Sequence, residues 1–200
     1  MIKHLGANIS DVEKDSVFEH SVTKEPIVAV PDACHMLKLT RNTLAEYNIV
    51  DKEGNVIKWS YLIKLVERQE EYRLHPATKI RRRHINFQKE KMKVKLAAQT
   101  FSNSVVDALL FMKETFPKDF IGVEATSKFC KKINDIFDFL NSRRKFSKSD
   151  SQNCITKENL KEMERIVTEH VDYIKYLKMI ENAMSNERFP IFKSKRKIEF

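Results

Sequence analysis

Residues Lys93–Met112 read KVKLAAQTFSNSVVDALLFM, and their apolar positions decide the fold. Val94, Ala97, Ala98, Phe101, Val105, Ala108, Leu109 and Met112 recur at the three- and four-residue steps of one helical face. The spacing predicts a single core helix of about five turns, the spine of the domain. Pro117 lies beyond its end.

Similar stripes flank it. Upstream, Trp59, Leu62, Ile63 and Val66 predict a helix ending near Glu71, with Pro76 marking the break. Downstream, Phe129, Ile133, Ile136, Phe137 and Leu140 form a stripe for which Thr126 is the expected cap. Leu160, Met163, Val167, Val171, Ile174 and Leu177 predict a last helix, opened by Thr156. PDACHMLKLTRNTL (Pro31–Leu44) has helical spacing, with Asp32 placed to cap its start. Ile27–Val30, bounded by Pro26 and Pro31, is the one good strand candidate. Asn48–Asn55 reads as a turn punctuated by Gly54, and Met1–Leu5 as the end of a helix stopped by Gly6. Arg143–Asn153 is polar and loop-like, and the basic FKSKRKIEF end (Phe192–Phe200) reads as frayed. The expected fold is mainly α and bundle-like, behind a short mixed N-terminal piece.

Composition narrows the classes. Apolar residues make up 42% and charged residues 32% of the 200, with only 3 Gly and 5 Pro, which excludes collagen, linker and wholesale disorder. No uncharged apolar run approaches the ~20 residues of a membrane span, and MIKHLGANISD lacks a signal-peptide core. The 37 Lys+Arg outnumber the 28 Asp+Glu, for a net charge of +9, which favours an anionic partner without choosing among nucleic acid, nucleotide and acidic protein. Cys34, Cys130 and Cys154 are odd in number and far apart, as expected of reduced thiols.

Several chemistries are excluded by motif. No G-x-x-x-x-G-K-[ST] exists, and Gly6, Gly54 and Gly122 are too scattered to cradle phosphates. There is no H-E-x-x-H, no G-x-S-x-G and no Cys/His pair at zinc spacing. Three features remain. The first is Asp32-Ala-Cys-His35 at a strand-to-helix junction, followed by Lys38, Arg41 and Asn42. It is either a ligand end of a strand or a plain N-cap beside a partly buried His. The second is the basic run Lys79–His84, continued by Lys89, Lys91, Lys93 and Lys95, suited to phosphates or to a solvated face. The third is the polar stripe Asn134, Asp138 and Asn141 beside the apolar one. The positions three and four residues from Asp138 hold Asn134, Asp135, Asn141 and Ser142, so no cation supports it. Such a carboxylate can accept the paired N1–H and 2-amino donors of guanine, or it can simply face water.

Taken in order, PDACHMLKLTRNTL, HPATKIRRRHINFQKEKMKVKLAAQTFSNSVVDALL (His75–Leu110) and ATSKFCKKINDIFDFLNSR (Ala125–Arg143) resemble the P-element-type transposases, including the THAP-domain proteins derived from them. In that family an RNase H-like catalytic domain is interrupted by a helical insertion that binds GTP, a cofactor for assembling transposase with transposon-end DNA. The resemblance implies a partial RNase H-like segment over residues 1–50, the GTP-binding insertion over 51–180 and a basic tail over 181–200. It implies that Phe137 flanks the guanine, that Asp138 reads its edge, and that Asn141 completes the F-D-x-x-N. Lys93, Val94, Ser102 and Lys79 match further nucleotide-contacting positions, with Mg2+ accompanying the nucleotide. It further implies nuclear localisation, DNA contact through a fuller transposase, and homo- or hetero-oligomers. The family's three catalytic acids and its zinc-coordinating THAP domain would fall outside Met1–Phe200, so no independent catalysis is expected. Asp32 matches the family's DxxH signature instead. The alternative is a basic helical module that binds DNA or a partner transposase without nucleotide.

Overall fold

The computed structural model describes residues 17–77, 79–141 and 155–180, and the backbone of 188–190. In chain order the elements are β1 (Val17–Glu19), β2 (Pro26–Val28), α1 (Ala33–Glu46), β3 (Asn48–Val50), β4 (Val56–Ile57), α2 (Ser60–Tyr72) and α3 (Arg82–Ile85). A 3-10 turn, Phe87–Glu90, follows, then α4 (Val94–Thr100), α5 (Asn103–Thr115), α6 (Val123–Leu140), α7 (Leu160–Lys175), β5 (Lys178–Ile180) and β6 (Arg188–Pro190). Helices dominate, as the periodicity predicts.

The expected single helix over Val94–Met112 is two helices. Ser102 leaves the helical region at φ −63°, ψ 153° and becomes the N-cap of α5. Its Oγ donates to Gln99 O at 2.8 Å and lies 3.0 Å from Ser104 Oγ. Short polar side chains compete in this way with the backbone ladder, and Ser102-Asn103-Ser104 supplies three of them. The apolar face nevertheless continues through the break. Phe101 is fully buried and meets the Phe129 ring edge-on, centroids 6.0 Å apart. Periodicity reports which side faces the core, and it cannot register a bend that preserves that side.

Thr126 does not cap a helix. α6 begins at Val123, after Gly122 at φ 77°. Thr126 sits inside α6, fully buried, where its Oγ1 accepts from the Lys58 backbone N–H at 3.0 Å. The last helix likewise opens at Leu160 rather than Thr156, whose N–H bonds Asn159 Oδ1 at 2.7 Å. α1 follows its reading: Asp32 accepts from Cys34 N at 3.0 Å and His35 N at 3.1 Å.

The strands were underread. Of the expected strand Ile27–Val30, Ile27 and Val28 lie in β2, which pairs antiparallel with β1, with Phe18 opposite Ile27. The Asn48–Asn55 turn is a hairpin: β3 pairs with β4, while Asp51 Oδ1 accepts from Asn55 N at 2.8 Å and Gly54 takes φ 86°. β3 also pairs with β5, Ile49 opposite Met179, giving an antiparallel sheet ordered β4-β3-β5-β6. The expected division after residue 50 runs between paired strands of this sheet, and β6 lies within the basic tail expected over 181–200. Met1–Leu5, Gly6, Arg143–Asn153 and Phe192–Phe200 fall outside the described residues.

One core joins these parts. Leu37 and Leu44 of α1, Ile49 of β3, Ile57 of β4, Leu62 and Leu65 of α2, Phe101, Leu109 of α5, Phe129 of α6 and Leu177 form a single buried cluster. α5 and α6 run antiparallel, since Lys113 pairs with Glu124 while Phe101 meets Phe129. α1 packs on both α4 and α6.

The Thr126 bond yields a stability test. Thr126→Val keeps the shape but leaves the Lys58 N–H without its acceptor, at an expected cost of about 1–3 kcal/mol in denaturant unfolding. Thr126→Ser keeps the oxygen and is expected to cost less than the valine variant. Equal losses would show that packing alone holds β4 to α6.

Candidate nucleotide-binding site

α6 carries the expected base-reading residues on its last two turns. Asp138 lies nine residues past Phe129, about 13 Å further along the helix, and is half-buried. Its Oδ2 accepts from Asn134 Nδ2 at 3.0 Å, one turn back on the same stripe. That bond holds the carboxylate in one orientation. Phe137 is half-buried and packs against the central cluster. Asn141 is exposed at the helix end, where its backbone N–H bonds Phe137 O at 3.0 Å.

The expected phosphate-contacting residues lie around α4 and the start of α5. Lys93 is the N-cap of α4, and its exposed Nζ pairs with Glu90. Val94, the first helical residue, is half-buried against the core. Ser102 caps α5 without accepting a bond from a first-turn N–H. Lys79 is exposed in the turn before α3. Lys93 is thus engaged with Glu90, Ser102 with Gln99 and Ser104, and Asp138 with Asn134, each a near neighbour in sequence.

The basic run is partly neutralised, which the sequence reading did not anticipate. Arg82 pairs with Glu70 of α2, and Arg83 with Glu90. Arg81 Nη1 donates to Ile80 O at 2.8 Å. His84 is buried, accepts from Arg81 N at 3.0 Å on Nδ1, and meets Gln99 Oε1 at 3.0 Å through Nε2. The tautomer with the proton on Nε2 satisfies both contacts. Glu90 therefore sits between two cations. The Arg83 guanidinium, and after it the Lys93 ammonium, hold its carboxyl down to about 2, from 4.5. Its spacing of three residues from Lys93 is the signal that could have found it.

The family model described as "TNP-like, GTP-binding insertion domain" matches residues 34–154, more than half of the chain. The chain belongs to the P-element-type transposase family. It is 31% identical over 149 residues to the human protein "DNA transposase THAP9", an alignment covering 74% of this chain and 16% of that one. The fold is similar to a solved chain of the "Drosophila P element transposase strand transfer complex", with a TM-score of 0.75 at 24% identity. That match covers 96% of this chain and 41% of the other. The chain thus spans well under half the length of either relative. None of its described helices is long and apolar enough to cross a membrane.

Glu90 gives a pH prediction. Its folded carboxyl titrates below its ordinary value, so its ion pairs stabilise the fold above pH 4.5 and are lost as pH falls from there toward 2. A stability–pH series of the parent against Glu90→Gln should show a difference at neutral pH that shrinks through this window. A constant difference would show that the pairs contribute nothing to folding.

Proposed function

We propose that this family member binds GTP through α4, α5 and α6, as a cofactor for assembling a transposase with transposon-end DNA. The observation that carries the reading is Asp138: a half-buried carboxylate, braced by Asn134, inside the segment that the GTP-binding family model matches. Lys79, Lys93, Val94, Ser102, Phe137 and Asn141 lie within that same segment.

The donor set suits the nucleotide. A carboxylate is acceptor-only and can take both N–H donors of the guanine edge, and adenine offers no such pair there. Lys93 and Lys79 are exposed and cationic, as phosphates require where no Gly-rich loop exists. Phe137 Cβ and ring belong partly to the core, so its role at the base is to border it with an apolar edge. No group of acidic, His or Cys side chains among the described residues could hold a metal ion by itself. An accompanying Mg2+ would therefore take ligands from the phosphates. Nuclear localisation and DNA contact through a fuller transposase belong to the same reading. The nucleotide-free DNA-binding alternative draws less support, because Arg82 and Arg83 already face carboxylates.

Asp138→Asn replaces an acceptor by a donor at the base edge. GTP affinity should fall about ten- to a hundredfold, and XTP should gain, because the amide can donate to its 2-oxo group. Competition binding with GTP, XTP and ATP on the full chain reads this out. An unaltered base preference would remove Asp138 from the site.

A further inference from the structure

α1 holds a cation that no carboxylate among the described residues neutralises. Arg41 is 0% exposed. Its Nε and Nη2 donate to Asn42 Oδ1 at 3.2 and 3.0 Å, and Nη2 also donates to Lys91 O at 2.7 Å. All these acceptors are neutral. Its guanidinium carbon lies 4.0 Å from the centroid of the Phe87 ring, and Nη1 has no hydrogen-bond partner among the described residues. Burial shifts its ionisation downward from the ordinary arginine value, and no carboxylate among the described residues opposes that shift. Lys38, one turn earlier, is also buried, at 9% exposed. An arginine stays charged in such a place, and an apolar side chain of similar volume would be easier to bury.

What Arg41 does there follows from what it touches. Its contacts on Phe87 and Lys91 cross fifty residues of chain and grip both ends of the segment that leads into Lys93, the N-cap of α4. Glu46, at the end of α1, lies 3.8 Å from the Lys91 ammonium and adds a second, weaker hold. Glu90, within the gripped segment, holds the Lys93 side chain. Full burial keeps Arg41 itself from meeting a ligand that arrives from solvent, so it acts through this segment.

We infer that Arg41 is a positioning residue for the nucleotide phosphates: it clamps Phe87–Lys91 to α1 and so sets where Lys93 and Val94 stand. The inference rests on the GTP reading above. It adds that α1 and the phosphate-contacting segment form one mechanical unit, so that phosphate occupancy and the placement of α1 are linked in both directions.

The test compares Arg41→Met with the parent chain in three measurements: unfolding stability, affinity for GTP, and affinity for guanosine, which has no phosphates. The methionine removes the clamp and the unpaired charge together. Stability should hold or rise, GTP affinity should fall by about tenfold or more, and guanosine affinity should stay at the parent value. Amide exchange across Phe87–Lys93 should accelerate. Asn42→Ala, which removes the acceptor shared by Nε and Nη2 while keeping the charge, should give the same selective loss in smaller measure, and it serves if Arg41→Met does not fold. Parent-like GTP affinity in these variants overturns the inference, as does an equal loss for GTP and guanosine. Failure of the unaltered chain to bind GTP would instead overturn the nucleotide reading and this inference with it, and that result is seen before any variant is made.

Discussion

The packing of α5 against α6 is the constraint on which the rest depends. Val105, Ala108, Leu109 and Met112 of α5 are buried together with Val123, Phe129 and Cys130 of α6. Burial pushes the Cys130 thiol up to about 12, which makes it an inert core residue rather than a nucleophile. Because α6 has 18 residues and α5 has 13, the antiparallel pair leaves the C-terminal turns of α6 beyond the start of α5. Asp138 and Asn141 stand on that extension. A polar stripe can persist there because the apolar stripe of the same helix is already anchored further back.

Charge is organised in two ways. At the surface, the excess of cations is reduced locally by Glu70, Glu90 and Asp119, each beside an arginine. These pairs also set what the basic face can offer an anion. Lys93 is a cation with a carboxylate already in place, and any phosphate that reaches it must compete with Glu90. Inside, the described partners of Arg41 are neutral oxygens and an aromatic face. The buried cation costs stability in return for a defined placement of a distant segment, an exchange that makes sense only where placement matters.

Much of the helical architecture was legible. The stripe from Trp59, the N-cap residue of α2, to Val66 runs along α2, the stripe Phe129–Leu140 lies within α6, and Asp32 caps α1. Three- and four-residue spacing records one-sided burial directly, which is why these readings survive. The strands were not legible for a matching reason. Each has two or three residues, too few for alternation to show, and the pairing that joins β3 to β5 brings Ile49 opposite Met179, far away in sequence. The polar stripe of the candidate site was visible as spacing, and so was the order of motifs that carries the family resemblance. Glu90 and Glu70 were passed over because their meaning lies in Arg83 and Arg82 facing them.

By itself, then, the sequence determined the helical class, the buried sides of the principal helices, the absence of a Gly-rich phosphate loop and the family. The tertiary structure alone decided the internal role of Thr126, the pairing that joins β3 to β5, and the burial of Arg41 against Phe87 and Lys91. The division has one physical cause. Side-chain periodicity is set by a residue's neighbours within a few turns, whereas hydrogen-bond partners, counter-charges and ring contacts come from whichever segment the fold brings near.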